Sequence, residues 1–153
     1  MRWYSFLSIV FFALLLLGGC NSSDDISKPA EVKQHECPKC YMIVNSSKIH
    51  SAKVITQEKI YYFDDIGCMV IYTHENNIDL TVERAEVFTN DTHKYIPINK
   101  ARYRLHEKTP MNYGFVAYEN EDEFMIDFNE VRLKMLRGEH MANPKIRKKV
   151  LGI

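Results

Sequence analysis

The sequence has no excess of charge of either sign. Its 153 residues include 20 basic and 20 acidic side chains, so the formal net charge at pH 7 is zero. Loss of residues 1–19, expected for the reasons given below, removes only Arg2 and leaves 19 basic against 20 acidic residues. A nucleic-acid-binding domain usually carries a basic surplus. We therefore expect no nucleic acid among the partners of this protein.

The sequence also lacks the residue patterns of common catalytic sites. It has no Ser-His-Asp arrangement, no glycine-rich phosphate loop and no pair of catalytic carboxylates that could be assigned. Its six histidines are scattered, and none forms a His-x-x-x-His pair. We therefore expect a protein that is not an enzyme.

The N-terminus carries an apolar run that is short for a membrane span. Residues 3–17 are apolar except for two serines and follow Arg2, whereas a spanning helix needs about 20 residues. A basic start, an apolar core and a small-residue exit are typical of a secretory signal. The run ends in Leu17-Gly18-Gly19-Cys20, which resembles the lipobox at which bacterial lipoproteins are cleaved and acylated. The alternative is a short membrane anchor that stays uncleaved.

The sequence therefore predicts a signal peptide over 1–19 and a lipid on Cys20, whose acyl chains anchor the protein to a membrane. Residues 20–35 are polar, contain Pro29 and are typical of a flexible tether. The remaining residues, 36–153, are long enough for one domain with its own core. We expect this domain at the periplasmic face of a bacterial membrane, and Asn21 after the cysteine favours the outer membrane over the inner one.

Cysteine is scarce, and its number is informative. If Cys20 carries lipid, then Cys37, Cys40 and Cys68 remain, which is an odd number in an exported protein. Free thiols are disfavoured in oxidising compartments. Binding of a soft metal ion would account for the leftover thiol.

Cys37-Pro38-Lys39-Cys40-Tyr41-Met42 is the first candidate metal site. Two cysteines separated by two residues can hold one metal ion or form a disulfide, and Met42 adds a thioether. Soft sulfur donors select Cu(I), zinc or iron–sulfur clusters. Zinc normally takes four Cys or His ligands, and methionine is a poor zinc ligand, so the methionine favours Cu(I). A structural disulfide with Met42 in the core is an equally open interpretation.

Three other sulfur residues are weaker candidates by themselves. Cys68 and Met69 lie near the start of a predicted helix, whose dipole favours a thiolate, although a Cys-Met pair there is usually part of the core. Met111 lies in a polar loop beside Pro110 and could supply a thioether. Asp64 and Asp65 lie at the start of the predicted helix; they are most simply a helix cap, but a carboxylate near the metal is the alternative.

Local patterns predict an α+β fold with antiparallel strands and a few helices. Runs rich in β-branched and aromatic residues predict three strand pairs: 51–56 with 59–63, 85–89 with 94–98, and 102–106 with 113–118. Helical spacing predicts helices over 65–75, 129–137 and 144–151, with caps at Asp64 or Asp65, at Asn129, and at Asn143 followed by Pro144. Residues 121–127 are ambiguous between helix and strand.

Taken together, the motifs resemble the NosL family, copper-binding lipoproteins linked to assembly of nitrous oxide reductase. The resemblance spans roughly residues 37–128 and depends on the lipobox followed by three ordered motifs, namely Cys37-x-x-Cys40-x-Met42, Tyr62-Phe63-Asp64-Asp65-Ile66-Gly67-Cys68-Met69 and Thr109-Pro110-Met111-x-Tyr113-Gly114-Phe115. It implies a compact α+β module similar to part of the organomercurial lyases.

The resemblance also implies a function and a ligand set. It implies a membrane-anchored Cu(I) chaperone whose partners are the maturation proteins of nitrous oxide reductase or the apo-reductase. The leading ligands are Cys37, Cys40 and Met42, followed by Met111, with Cys68 and Met69 ranked lower. The family commonly has glycine where this chain has Tyr41, so the loop geometry is expected to differ, or Tyr41 to shield the site.

Two alternatives from other classes stay open. One is a thiol–disulfide oxidoreductase that uses Cys37 and Cys40, for which the expected βαβ context is missing. The other is a structural lipoprotein module in which the same cysteines form a disulfide or bind a zinc ion.

Overall fold

The computed structural model describes residues 34–45, 47–81 and 83–153. The predicted signal peptide, the lipobox with Cys20 and nearly all of the tether lie outside these residues. Residues 34–153 belong to one compact unit. Within the described residues, no helix combines the length and the apolar character required to cross a bilayer.

The larger sheet has four antiparallel strands in the order β2-β1-β3-β4. They are β1 (Ala52–Ile55), β2 (Ile60–Phe63), β3 (Arg84–Phe88) and β4 (Tyr95–Pro97). In β1, Ala52 and Val54 are buried and alternate with half-buried residues. Because side chains alternate between the two faces of a strand, β1 turns one face fully into the core.

The second sheet is the antiparallel pair β5 (Arg102–Leu105) and β6 (Phe115–Tyr118). Tyr103 of β5 is fully buried, and its hydroxyl donates a 2.9 Å hydrogen bond to the Ile98 carbonyl. Phe115, Val116 and Ala117 of β6 are buried as well. This pair therefore contributes a large aromatic part of the core.

Three helices complete the described chain: α1 (Ile66–Glu75), α2 (Phe128–Leu136) and α3 (Pro144–Leu151). Helix α1 contacts α2 and strands β1, β2 and β6. Its buried side includes Ile66, Cys68, Met69 and Val70. Helix α1 is thus the central element of the core, and its first turn carries one of the predicted site cysteines.

The predicted α+β class and all three strand pairs are confirmed. Gln57-Glu58 is an unfavourable turn pair, and Thr56 explains why the hairpin closes there. Its hydroxyl accepts hydrogen bonds from the Glu58 and Lys59 backbone N–H groups, and its backbone N–H donates to the Lys59 carbonyl at 3.1 Å. A Ser/Thr turn of this kind replaces the usual turn residues.

Two helix starts agree with the sequence and one differs. Asp65 caps α1, and Asn143 caps α3 with Pro144 in its first turn, as expected. The predicted cap at Asn129 is wrong because Asp127 accepts the Glu130 N–H and begins α2 two residues earlier. The ambiguous residues 121–127 form neither element, apart from a bridge between Ile126 and Tyr103.

Candidate metal centre

The segment Cys37–Met42, here called the CxxC loop, is closed by backbone hydrogen bonds. Cys37 N–H donates to the Met42 carbonyl and Tyr41 N–H donates to the Cys37 carbonyl, both at 2.9 Å. The bridge between Glu36 and Ile43 pairs the chain just outside the loop. Since both ends are fixed in this way, the two cysteines are held on one tight turn.

Tyr41 adopts a left-handed backbone conformation, with φ of 62°. Glycine occupies this region without cost, whereas residues with a Cβ atom are strained there. The loop keeps the turn that glycine would favour and places a tyrosine in it. The Tyr41 residue is 74% exposed, so most of its side chain lies at the protein surface.

The end of β2 and the start of α1 provide the other side of the site. Asp65 is fully buried and caps α1 through a 2.9 Å hydrogen bond from Gly67 N–H to Oδ1. Its Oδ2 accepts the Met111 N–H at 3.1 Å. Asp65 thereby fixes the first turn of the helix, which contains Cys68, and ties it to the loop before β6.

Four side chains converge between these elements: Cys37, Cys40, Asp64 and Cys68, here called the Cys–Asp cluster. One ligand atom from each lies within 4.8 Å of all the others, and the group could hold a metal ion. Cys37 and Cys68 have no exposed surface, Asp64 is buried and Cys40 is half-buried. All three cysteines are free thiols.

Asp64 makes the Cys–Asp cluster a mixed thiol–carboxylate site. The Cys40 thiol donates a 3.0 Å hydrogen bond to Asp64 Oδ1. The other carboxylate oxygen, Oδ2, is buried and has no hydrogen-bond partner among the described residues. Because buried polar atoms are normally satisfied, this oxygen leaves a free ligand position beside three thiols.

The three thiols differ in their readiness to lose a proton. The pKa of Cys37 is lowered to about 6, mainly because the Cys68 thiol is hydrogen-bonded to it, with further help from backbone N–H groups. Burial and the hydrogen bond to Asp64 raise the pKa of Cys40 to about 12. The hydrogen bond with Cys37 and burial raise the pKa of Cys68 well above the usual range. At neutral pH the metal-free cluster therefore holds one thiolate, on Cys37, and two protonated thiols.

Of the six predicted ligands, the three cysteines come together in the Cys–Asp cluster. Cys68, ranked below Met42 in the sequence analysis, belongs to the Cys–Asp cluster. Met42 lies at the end of the CxxC loop and is 44% exposed, while Met69 is fully buried in the core. Met111 is partly buried against the core beside the cap of α1. Asp64, considered only as an alternative to a cap residue, joins the cluster while Asp65 does the capping.

Tyr113 packs against the helix turn that carries Cys68. A Cβ atom at Gly67 would lie 2.2 Å from a ring carbon of Tyr113, so only glycine allows this contact. The Tyr113 ring also contacts His140 in an edge-on arrangement, with centroids 5.0 Å apart. Burial, followed by the nearby Cys68 and Asp65, raises the pKa of Tyr113 to about 12. Gly67 in the second motif and Tyr113 in the third therefore act together as one packing unit beside the site.

The first residues of the described chain also pack beside the site. His35, which the sequence analysis placed at the end of the tether, stacks on Tyr62 with ring centroids 3.8 Å apart. Lys39 of the CxxC loop forms a 2.7 Å ion pair with Glu75 at the end of α1. These contacts hold the loop against β2 and α1 from two sides.

Comparison of the chain with protein-family profiles, with curated proteins and with solved structures found no significant match.

Proposed function

We propose that this domain is an extracytoplasmic Cu(I) carrier that binds the ion at the Cys–Asp cluster and delivers it to a membrane-associated recipient. The single observation that carries the proposal is the convergence of Cys37, Cys40 and Cys68 beside Asp64, with ligand atoms within 4.8 Å of one another. Thiolates are soft ligands that favour Cu(I). Two buried sulfurs with a third that is half-buried suit an ion that must be held and then released.

The unequal exposure of the three cysteines supports transfer in one direction. Cys37 and Cys68 are fully buried, whereas Cys40 is half-buried and Met42, two residues on, is 44% exposed. Cu(I) accepts two or three soft donors, so a donor from the recipient can enter beside Cys40 before that sulfur leaves. The buried pair then holds the ion until the exchange is complete.

Asp64 supports the loading step. Its Oδ1 atom accepts the hydrogen bond of the Cys40 thiol at 3.0 Å. Cys40 must lose this proton to become a ligand, because the thiolate is the metal-binding form. The carboxylate therefore lies where the departing proton has an acceptor, and it need not bind the copper ion itself.

The recipient and the location come from the resemblance to the NosL family. The CxxC loop and the second motif, which supplies Asp64 and Cys68, form the Cys–Asp cluster, and the third motif packs beside it through Tyr113. On this basis we propose that the protein delivers copper to nitrous oxide reductase or to its maturation proteins. We also propose that a lipid on Cys20 anchors it at the periplasmic face of a bacterial membrane, with the outer membrane favoured over the inner one. Anchoring would raise the effective concentration near a membrane-bound recipient.

The test is an anaerobic titration of the reduced domain, residues 34–153, with Cu(I) in competition with a chromophoric Cu(I) chelator. The variants are Cys37→Ser, Cys40→Ser, Cys68→Ser and Met42→Leu. Met125→Leu is the matched control for the methionine, because Met125 is also partly exposed but lies in the loop before α2. Circular dichroism of each variant shows whether it still folds.

We expect one Cu(I) per chain, held against the chelator, and at least a tenfold loss of affinity in folded cysteine variants. Met42→Leu reports whether the thioether takes part, by comparison with Met125→Leu. Absence of competition by the wild-type domain, or full affinity in all three cysteine variants, would contradict the carrier.

Asp64 favours a second candidate, a structural zinc site. Three cysteines and one carboxylate make a four-ligand set, and structural zinc is bound by four ligands in a tetrahedron. Here the unpartnered Oδ2 or its neighbour Oδ1 would bind the ion directly.

Asp64→Asn separates the two candidates. The amide keeps the size of the side chain but is a much poorer zinc ligand. If zinc is the resident ion, the variant loses zinc affinity strongly, and the wild-type domain retains Zn(II) when Cu(I) is offered. If the site carries copper, Cu(I) displaces Zn(II) and the variant keeps most of its Cu(I) affinity.

A further inference from the structure

The C-terminal helix α3 has a charge pattern unlike the rest of the domain. Residues 143–153 contain four basic side chains, at Lys145, Arg147, Lys148 and Lys149, and no acidic one. Residues 34–142 contain 17 acidic and 13 basic residues. Charge is therefore unevenly distributed along the domain. Residues 143–153 are cationic, whereas residues 34–142 carry a net negative charge.

The four cations of α3 are not neutralised within the domain. None of the ion pairs in the described part of the chain includes them. The helix has no buried residue, and among the described elements no other helix or strand makes more than marginal contact with it. Their charge is thus available to a partner outside this chain.

Apolar side chains are exposed at the same end. Val150, Leu151 and Ile153 are 38%, 56% and 81% exposed. Gly152 ends the helix in a left-handed conformation, and Ile153 N–H donates to the Lys148 carbonyl at 3.1 Å. This is the hydrogen-bond pattern of a Schellman cap, so the last residues are held beside the helix end.

A well-capped, unpartnered helix with several cations around exposed aliphatic side chains has the chemistry of an interfacial membrane helix. The aliphatic groups insert among acyl chains while the long basic side chains reach the phosphates. We propose that α3 binds the surface of an anionic phospholipid bilayer. The acidic body of the domain is repelled by the same surface, so the contact also orients the domain with α3 toward the lipid.

This contact goes beyond the carrier function and does not depend on copper. A covalent lipid would hold the protein near a membrane through a tether, whereas α3 would fix which face of the domain meets it. A second weak attachment added to a first one strengthens the overall binding.

The test uses residues 34–153, which belong to the compact unit and leave out the predicted lipid attachment site and signal peptide. Circular dichroism first confirms that it is folded. Sedimentation with vesicles then compares phosphatidylglycerol–phosphatidylethanolamine mixtures with pure phosphatidylcholine. The main variant replaces the four α3 cations with glutamine. The matched control replaces four exposed lysines elsewhere with glutamine, at positions 48, 59, 100 and 108.

We expect binding to anionic vesicles only, weakened about tenfold or more between 0.1 and 0.5 M salt because the charges are screened. The α3 variant should lose most of this binding and the control variant little. Leu151→Ser combined with Ile153→Ser should weaken vesicle binding at constant charge.

Three results would overturn the proposal. They are absence of binding to anionic vesicles, equal losses in the α3 and control variants, and binding to soluble polyglutamate but not to vesicles. The last result would assign α3 to an acidic protein partner instead. None of these results bears on Cu(I) affinity, so failure here is distinct from failure of the carrier function.

Discussion

At the scale of single residues, neighbouring positions with the same chemistry have different tasks. Asp64 and Asp65 are adjacent carboxylates, yet Asp65 caps α1 and Asp64 faces the thiols. The sequence predicts that a cap lies here but not which aspartate provides it, because the direction of each side chain depends on the turn between β2 and α1. The site contains a carboxylate because Asp65 provides the cap and leaves Asp64 free to face the thiols.

The distribution of protons in the Cys–Asp cluster predicts how metal binding depends on pH. Between about pH 7 and 8.5, Cys37 is a thiolate, since its pKa is about 6. Cys40 and Cys68 are protonated because their pKa values are raised. Binding through all three sulfurs therefore releases two protons, and apparent affinity should rise about a hundredfold per pH unit.

Binding through Cys37 and Cys40 alone releases one proton, and the rise should be about tenfold per pH unit. Below about pH 6 the slope should steepen, because Cys37 must then lose a proton as well. Competition titrations across this range, corrected for protonation of the chelator, measure the slope. A pH-independent affinity would refute this account of the thiols.

Tyr41→Gly should retain or slightly increase stability, although it removes an aromatic side chain. Glycine relieves about 1–2 kcal/mol of left-handed backbone strain and costs about 0.5–1 kcal/mol in unfolded-state entropy. Phe124→Gly is the matched control, because both aromatic residues are largely exposed, 74% and 79%, and only Tyr41 has positive φ. In urea unfolding, Tyr41→Gly should have a higher free energy of unfolding than Phe124→Gly. The opposite order would mean that contacts of the tyrosine ring contribute more to stability than backbone strain at this position costs.

At the scale of elements, the hairpins and helices were predictable because their signals are local. Runs rich in β-branched and aromatic residues predicted the pair β1 and β2, and Asn143-Pro144 predicted the start of α3. The Cys–Asp cluster was harder to predict from the sequence. Cys68 is distant in sequence from the CxxC loop, and the two segments meet through packing of the loop region against β2 and α1.

Gly67→Ala tests the packing between α1 and the third motif. Helix propensity alone predicts that alanine stabilises α1 by up to about 1 kcal/mol. The added Cβ atom would lie 2.2 Å from the Tyr113 ring, and overpacking of this kind typically costs about 1–3 kcal/mol. We therefore expect a net loss of stability in urea unfolding. A gain would show that Tyr113 moves freely and does not pack against the site.

At the scale of the whole molecule, the Cys–Asp cluster joins the CxxC loop, the β2–α1 junction and the core. Cys37 and Cys68 belong to the same buried cluster as Phe63 and Val131. Metal binding should therefore be coupled to global unfolding. A ligand at about a thousandfold excess over its Kd adds about 4 kcal/mol to the free energy of unfolding, which corresponds to a rise in Tm of roughly 10–20 °C for a domain of this size.

Anaerobic thermal unfolding with and without Cu(I) measures this rise. For each cysteine-to-serine variant, the Tm with Cu(I) is compared with the Tm of the same variant without Cu(I). This comparison is needed because loss of a buried thiol can lower the Tm of the metal-free domain. The expected result is a large rise in the wild-type domain and a much smaller one in Cys68→Ser. Equal rises in both would mean that copper binds elsewhere.

X-ray absorption at the copper edge of the Cu(I)-loaded reduced domain reports the atoms bound to the ion, and therefore shows whether the cysteines of the Cys–Asp cluster hold it. We expect one Cu(I) per chain with two or three sulfur neighbours, and loss of one sulfur in Cys40→Ser. Coordination by nitrogen or oxygen alone, or a domain that takes up no stoichiometric copper, would contradict this expectation.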